Sequence, residues 1–113
     1  MPLRKPTNAE ERFLAFMIKK AKIKMSPDWK ENILVSPMDE ANMGSLLLFP
    51  DGKRKDNRSF GRTAAEHEFK DADRASVIAS LNLDEAGNIF ELDIWKTTFE
   101  PLINFPETEN EAE

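Results

Sequence analysis

The chain has 113 residues, a net charge of −5 and no cysteine. That length suits one domain. The missing cysteine excludes disulfides, thiolate metal sites and a cysteine nucleophile, and fits a reducing compartment. Leu, Ile, Val and Phe make up 27 of the 113 residues, enough to build a core without a staple and above the level that accompanies disorder. The basic residues near the N-terminus are not followed by an apolar stretch, so no secretory signal is read there. Apolar runs such as Leu46-Leu47-Leu48-Phe49 are far too short to span a bilayer, and a cytoplasmic location is expected. Charge is unevenly spread: residues 1–30 carry eight basic and three acidic groups, whereas residues 98–113 carry five acids and no base. An acidic chain repels nucleic acid at long range, so neither a nucleic-acid nor a membrane partner is expected.

Thr7-Asn8-Ala9-Glu10 matches the capping box, in which the Thr oxygen and the Glu carboxylate satisfy each other's backbone N–H groups. Acids at Glu10 and Glu11 and lysines at 19, 20 and 22 complement the helix dipole. Leu14, Met17, Ile18, Ala21 and Met25 form an apolar stripe widened by Phe13, so a helix is predicted from about Asn8 to Ile23. The lysines at 19, 20, 22 and 24 could mark a membrane-surface helix, but the apolar stripe is needed for the core, and a basic rim is the better reading. Ser26-Pro27-Asp28 is a second start signal, predicting one or two helical turns that hold Trp29.

From Ile33 the period becomes that of strands. Ile33–Ser36 and Gly44–Phe49 are short apolar runs, Pro50-Asp51-Gly52 is a turn, residues 51–58 form a polar loop tip, and Phe60 to Phe69 resumes as a strand. Val77, Ala79, Leu81 and Leu83 then alternate with Ser76, Ile78, Ser80 and Asn82. After Asp84–Gly87, Phe90, Leu92 and Ile94 alternate with Ile89, Glu91, Asp93 and Trp95. A four-residue loop pairing Leu83 with Asn88 sets Leu81 opposite Phe90, Ala79 opposite Leu92 and Val77 opposite Ile94. The other face then pairs Ser80 with Glu91, Ile78 with Asp93 and Ser76 with Trp95. Leu102, Ile103 and Phe105 are expected to pack along an edge. The fold class is therefore α+β, an N-terminal helix packed on one face of a four- to five-stranded antiparallel sheet. It spans residues 1–105, and an acidic tail at 106–113 is expected to be disordered.

The stretch from Leu81 through Glu91-Leu92-Asp93-Ile94-Trp95-Lys96 to Phe99, Pro101 and Leu102, together with Met43-Gly44-Ser45-Leu46 and Phe69-Lys70-Asp71-Ala72-Asp73, resembles a family of small bacterial proteins of unknown function. The resemblance covers most of residues 5–105. The sequence departs from that pattern at Arg74, where Gly is frequent, and at Thr98, where an acid is frequent. It implies domain bounds and no activity.

Several constellations invite chemistry. His67 lies between Glu66 and Glu68, but strand neighbours point to opposite faces and no second His or Cys accompanies it. A solvent-facing or cross-strand histidine is the plain reading. Asp71-Ala72-Asp73 opens like a calcium loop yet lacks the Gly and Glu that complete one; a turn with two solvated carboxylates is expected. Lys53, Arg54, Lys55 and Arg58 form a basic tip without interleaved aromatics, able to touch phosphate but read as a solvated loop. Glu91 and Asp93, two apart on one strand, have side-chain bases about 6.5–7 Å apart, a spacing open to glycosidase chemistry, but no cleft accompanies them. No catalytic set, metal or cofactor is expected.

The leading functional reading is a protein-binding module using an acidic sheet face, with Ser80, Glu91, Asp93 and Trp95 as its contact residues and a basic protein as partner. An immunity or antitoxin-type role is one version. The alternative is a small hydrolase or metal-dependent enzyme in which His67 meets Asp71 and Asp73. A homodimer through an exposed sheet edge suits either.

Overall fold

The computed structural model describes residues 3–38 and 43–106, so residues 107–113 of the expected disordered tail lie outside the described residues. Helix α1 runs Asn8–Lys20, with the capping box formed as the sequence requires. Glu10 N–H donates to the Thr7 hydroxyl at 3.1 Å, and Thr7 N–H donates to Glu10 Oε1 at 2.8 Å. Glu10 also receives both arms of the Arg4 guanidinium, at 2.7 and 3.0 Å. Arg4 in turn exchanges two backbone hydrogen bonds with Val35, which ties the helix start to the sheet's edge.

The helix ends three residues before the predicted Ile23. Lys22 takes φ +59; its N–H donates to the Lys19 carbonyl and that of Ile23 to Ile18. This is the Schellman termination, and Lys22 occupies the left-handed position usually held by Gly or Asn. With a lysine there, the sequence carried no stop signal. A short helix α2, Trp29–Asn32, follows as expected.

Five strands form one antiparallel sheet: β1 Leu34–Pro37, β2 Leu46–Phe49, β3 Phe60–Lys70, β4 Ser76–Asp84 and β5 Ile89–Lys96, in the order β1-β2-β5-β4-β3. The Pro50-Asp51-Gly52 turn closes with Gly52 N–H on the Phe49 carbonyl and Gly52 at φ +73. Phe13, Leu14 and Met17 of α1 bury against Leu92, Ile94, Leu81, Ala79, Val77 and Phe69 on one face of the sheet. A fully buried side chain of this kind contributes about 1.5–3 kcal/mol.

The β4–β5 register differs by two residues from the predicted one. Leu81 faces Leu92, Ala79 faces Ile94 and Val77 faces Lys96, and a bulge falls between Asn82/Glu91 and Leu83/Ile89, leaving Phe90 over. A two-residue shift keeps every side chain on its face, so alternation alone could not detect it. The bulge rotates the start of β5, and Ile89, expected on the outer face, becomes 1% exposed. At the far edge, β3 carries two further irregularities, at Phe60/Arg62 and Thr63/Ala65. Gly61 lies in the first, where a Cβ would stand 2.3 Å from the Asp84 carbonyl oxygen.

Charges expected in solvent prove structural at two places. Arg58 does not belong to an exposed loop tip. Its Nε donates to Asp84 Oδ2 at 2.8 Å, Nη1 to the Leu48 carbonyl at 2.6 Å and Nη2 to the Ile89 carbonyl at 2.5 Å, with its plane over Phe90. Strands β2 and β5 pair at only Leu46/Leu92 and Leu47/Glu91; where they part at the bulge, the guanidinium fork takes up the carbonyls they leave.

Nor is the Asp71–Asp73 turn a pair of solvated carboxylates: Asp73 is exposed as expected, but Asp71 is buried. Lys96, 1% exposed, donates at 2.8 Å to each. The Asp71 carboxylate also accepts the N–H groups of Ala72, Ile103 and Asn104, and Lys96 reaches the Pro101 carbonyl. The C-terminal segment is thereby pinned, with Phe105 on Phe13 at 5.2 Å between ring centroids. Burial alone would raise the Asp71 pKa, but Lys96 and the three amides outweigh it and hold it near 2.

Three expectations follow. Arg74 stands at φ +69 in the turn after Asp71, so Arg74→Gly should raise stability by up to about 1 kcal/mol in urea unfolding; a loss would show that the Arg side chain matters more than its backbone. Lys96→Met leaves Asp71 buried without its cation, and a loss of about 3–5 kcal/mol is expected. A loss under about 1 kcal/mol would rule the triad out as an anchor. Because the folded pKa of Asp71 is depressed from 3.8 to about 2, the unfolded chain takes up the proton first as pH falls. On the order of 2 kcal/mol should then be lost between about pH 4 and pH 2, and this component should vanish in Asp71→Asn.

Candidate functional site

Period-two alternation on β5 sends Leu92, Ile94 and Lys96 toward α1 and Glu91, Asp93 and Trp95 to the opposite face. Across from them on β4 lie Asn82, Ser80 and Ile78, and beyond those on β3 lie Thr63, Glu66 and Glu68. All four residues expected to form a contact surface, Ser80, Glu91, Asp93 and Trp95, therefore share one face. Their cross-strand partners follow the observed register: Ser80 is opposite Asp93, and Trp95 opposite Ile78. Polar contacts knit the rows together. Thr63 Oγ1 donates to Asn82 Oδ1 at 2.9 Å, Asn82 Nδ2 to Glu91 Oε1 at 3.3 Å, and Ser80 Oγ to Glu66 Oε2 at 3.4 Å. Asp93 is additionally 3.2 Å from the hydroxyl of buried Ser45, which accepts the Ile94 N–H.

The shifted register has a consequence for the apolar part of this face. Trp95, 47% exposed, sits beside Ile78 instead of Ser76, and Phe99, 63% exposed, meets its ring edge-on at 4.9 Å and 82°. Phe99 is held at φ +63, with its N–H on the Lys96 carbonyl. That conformation is unfavourable for a bulky side chain, yet it brings Phe99 onto Trp95. Phe99 was not among the contact residues expected from the sequence, and no local pattern marks a Phe for a positive φ. The result is an exposed aromatic pair beside Ile78 on a face that also carries Glu66, Glu68, Glu91 and Asp93 and, opposite Ser76, Lys70.

The histidine constellation does not assemble. His67 lies on the core-facing row opposite Ala79, with its ring 4.8 Å from Phe16 and 6.2 Å from Phe69. Both Asp71 oxygens are already engaged by Lys96 and backbone amides, and Asp73 shares the same ammonium. Among the described residues no group of three or more His, Asp or Glu is placed to hold a metal ion, and no helix is long and apolar enough to cross a membrane.

A concave site does exist elsewhere, at the end of the sheet where α2, the 50–59 loop and the 84–88 turn meet. It encloses about 510 Å³. Trp29 forms part of its wall, and Lys24, Lys53 and Lys55 surround it. The Arg58–Asp84 ion pair belongs to its lining, with Asn57, Ser59 and Asn88 adding amide and hydroxyl groups. The aromatic ring missing from the basic segment in sequence is supplied in space by α2. Burial would raise the Asp84 carboxyl, but Arg58 and the amides of the turn hold it below its ordinary value.

Residues 3–106 match the family model described as a domain of unknown function, DUF6984. No match is found among curated proteins, and none among solved structures. The matched span takes in both helices, all five strands and the pinned C-terminal segment, and the chain belongs to this DUF6984 family of domains of unknown function.

Proposed function

We propose that the chain is a protein-binding module whose outer sheet face receives a basic partner. The observation that carries this reading is the exposed Trp95–Phe99 pair with Ile78 beside it, set among Glu66, Glu68, Glu91 and Asp93. Aromatic anchors ringed by charge are the arrangement in which a few residues dominate binding energy. The acids supply sign complementarity and salt-dependent encounter with a cationic protein surface. The positive φ of Phe99 adds support, because backbone strain that exposes an apolar ring is seldom retained without use. Neutralisation of a basic protein, in the manner of an immunity or antitoxin-type partner, is one biological form this binding would take.

The test is capture from native lysate by the wild type and by two variants, followed by titration of the purified partner. Wild type should capture one stoichiometric basic protein, with affinity falling as salt rises. Trp95→Ala and Glu91→Lys/Asp93→Lys should each weaken it about tenfold or more while circular dichroism remains unchanged. Binding that survives both variants would remove the outer face from the interface.

A further inference from the structure

The lysine-lined cleft lies away from the outer face, and its contents point to a small ligand. Lys24, Lys53 and Lys55 all line it, and none of their ammonium groups has an ion pair among the described residues. The carboxylates in the same lining are Asp51, Glu85 and Asp84. Asp84 is taken by Arg58 at 2.8 Å, and Asp51 accepts the backbone N–H of Lys53. Three lysines without an ion pair thus share the cleft with two carboxylates also without one, Asp51 and Glu85, and the lining carries a net charge of about +1. In a chain of net charge −5, this small positive excess is local.

The second observation is Trp29, half-buried against the core and part of the cleft lining, with the Lys30 ammonium 5.8 Å from its ring centroid, a cation that a stacked base would displace or join. An indole offers a planar ring a stacking surface worth about 1–3 kcal/mol. Asn57 and Asn88 add amide groups, each carrying donors and an acceptor that can read the edge of a heterocycle. The volume, about 510 Å³, falls within the range of small-ligand sites. The floor is firm, since the guanidinium of Arg58 is fixed by three acceptors.

We propose that this cleft binds a mononucleotide, its phosphate held by Lys53, Lys55 and Lys24 and its base against Trp29. A long polyanion is disfavoured by the net negative charge of the rest of the chain, whereas a mononucleotide meets only the local field.

Trp29 and Trp95 are the chain's two tryptophans, so Trp95→Phe makes Trp29 the sole fluorophore. Titrating that variant with AMP, GMP, CMP and UMP should give a saturable change in emission for at least one of them. Adenosine or guanosine, and inorganic phosphate alone, should each bind about tenfold more weakly than that nucleotide. Lys53→Glu/Lys55→Glu should weaken nucleotide binding about tenfold or more, and added salt should weaken it further. The chemical shift of the Trp29 indole N–H in the wild-type protein reads the same event should Trp95→Phe fail to fold. No saturable response up to about 10 mM nucleotide, far above the range of a specific site, would overturn the proposal. So would binding that is indifferent to the two lysines, phosphate binding as tight as the nucleotide's, or a response confined to single-stranded oligonucleotides.

Discussion

Strand β5 has a neighbour along both edges, β2 on one and β4 on the other, and its alternation decides what each face of the sheet presents. Leu92 and Ile94 meet Leu81 and Ala79 under α1, while Glu91, Asp93 and Trp95 turn outward. That alternation is broken once, at Phe90. The extra residue returns Ile89 to the core and parts β5 from β2. A parting of two strands leaves backbone carbonyls that must find donors. Arg58 supplies them from the 50–59 loop, and the loop is thereby drawn against the sheet's end, where it forms one side of the lysine-lined cleft.

The same alternation creates the second buried charge. Lys96 continues the core-facing series of Leu92 and Ile94, so its ammonium leaves water. An ammonium out of water needs anions and hydrogen bonds around it, since the desolvation penalty is several kcal/mol. Asp71 and Asp73 provide both, and because Asp71 still has lone pairs to spare, it takes the N–H groups of Ile103 and Asn104 as well. One buried lysine thereby joins the β3–β4 turn, the end of β5 and the C-terminal segment. The network buries Asp71 while Asp73 stays exposed, and it commits both to Lys96, away from His67, whose ring packs with Phe13, Phe16 and Phe69.

The two surfaces proposed to bind differ in chemistry and in origin. The outer face is a property of strand register: moving β5 by two positions leaves its acids outward but replaces Ser76 with Ile78 beside Trp95, which assembles an apolar centre. The cleft is a property of loop return, since Trp29 and Lys53 are far apart in the chain and meet only when α2 and the 50–59 loop converge. One surface carries excess negative charge and the other a local excess of positive charge, so ligands of opposite sign are directed to opposite parts of a small molecule.

Elements whose signals are local were legible in the sequence. The capping box at Thr7–Glu10, the turn at Pro50–Gly52, the short helix with Trp29 and all five strands lie in the chain as periodicity and turn chemistry require. So did the placing of Ser80, Glu91, Asp93 and Trp95 on a common face, because period two is indifferent to shifts of an even number of residues. Tertiary structure decided what depends on partners distant in sequence. The β4–β5 register was set by a bulge that alternation cannot encode. The ends of α1 and of the 71–74 turn rest on Lys22 and Arg74 adopting a backbone conformation that their side chains do not advertise. Arg58 and the Asp71/Asp73 carboxylates read as solvated charges because composition assigns charge to the surface, and Lys96 carried no signal of burial. Only the fold brings carbonyls and carboxylates within 3 Å of the two cations, and it is those partners that make burial of a charge favourable.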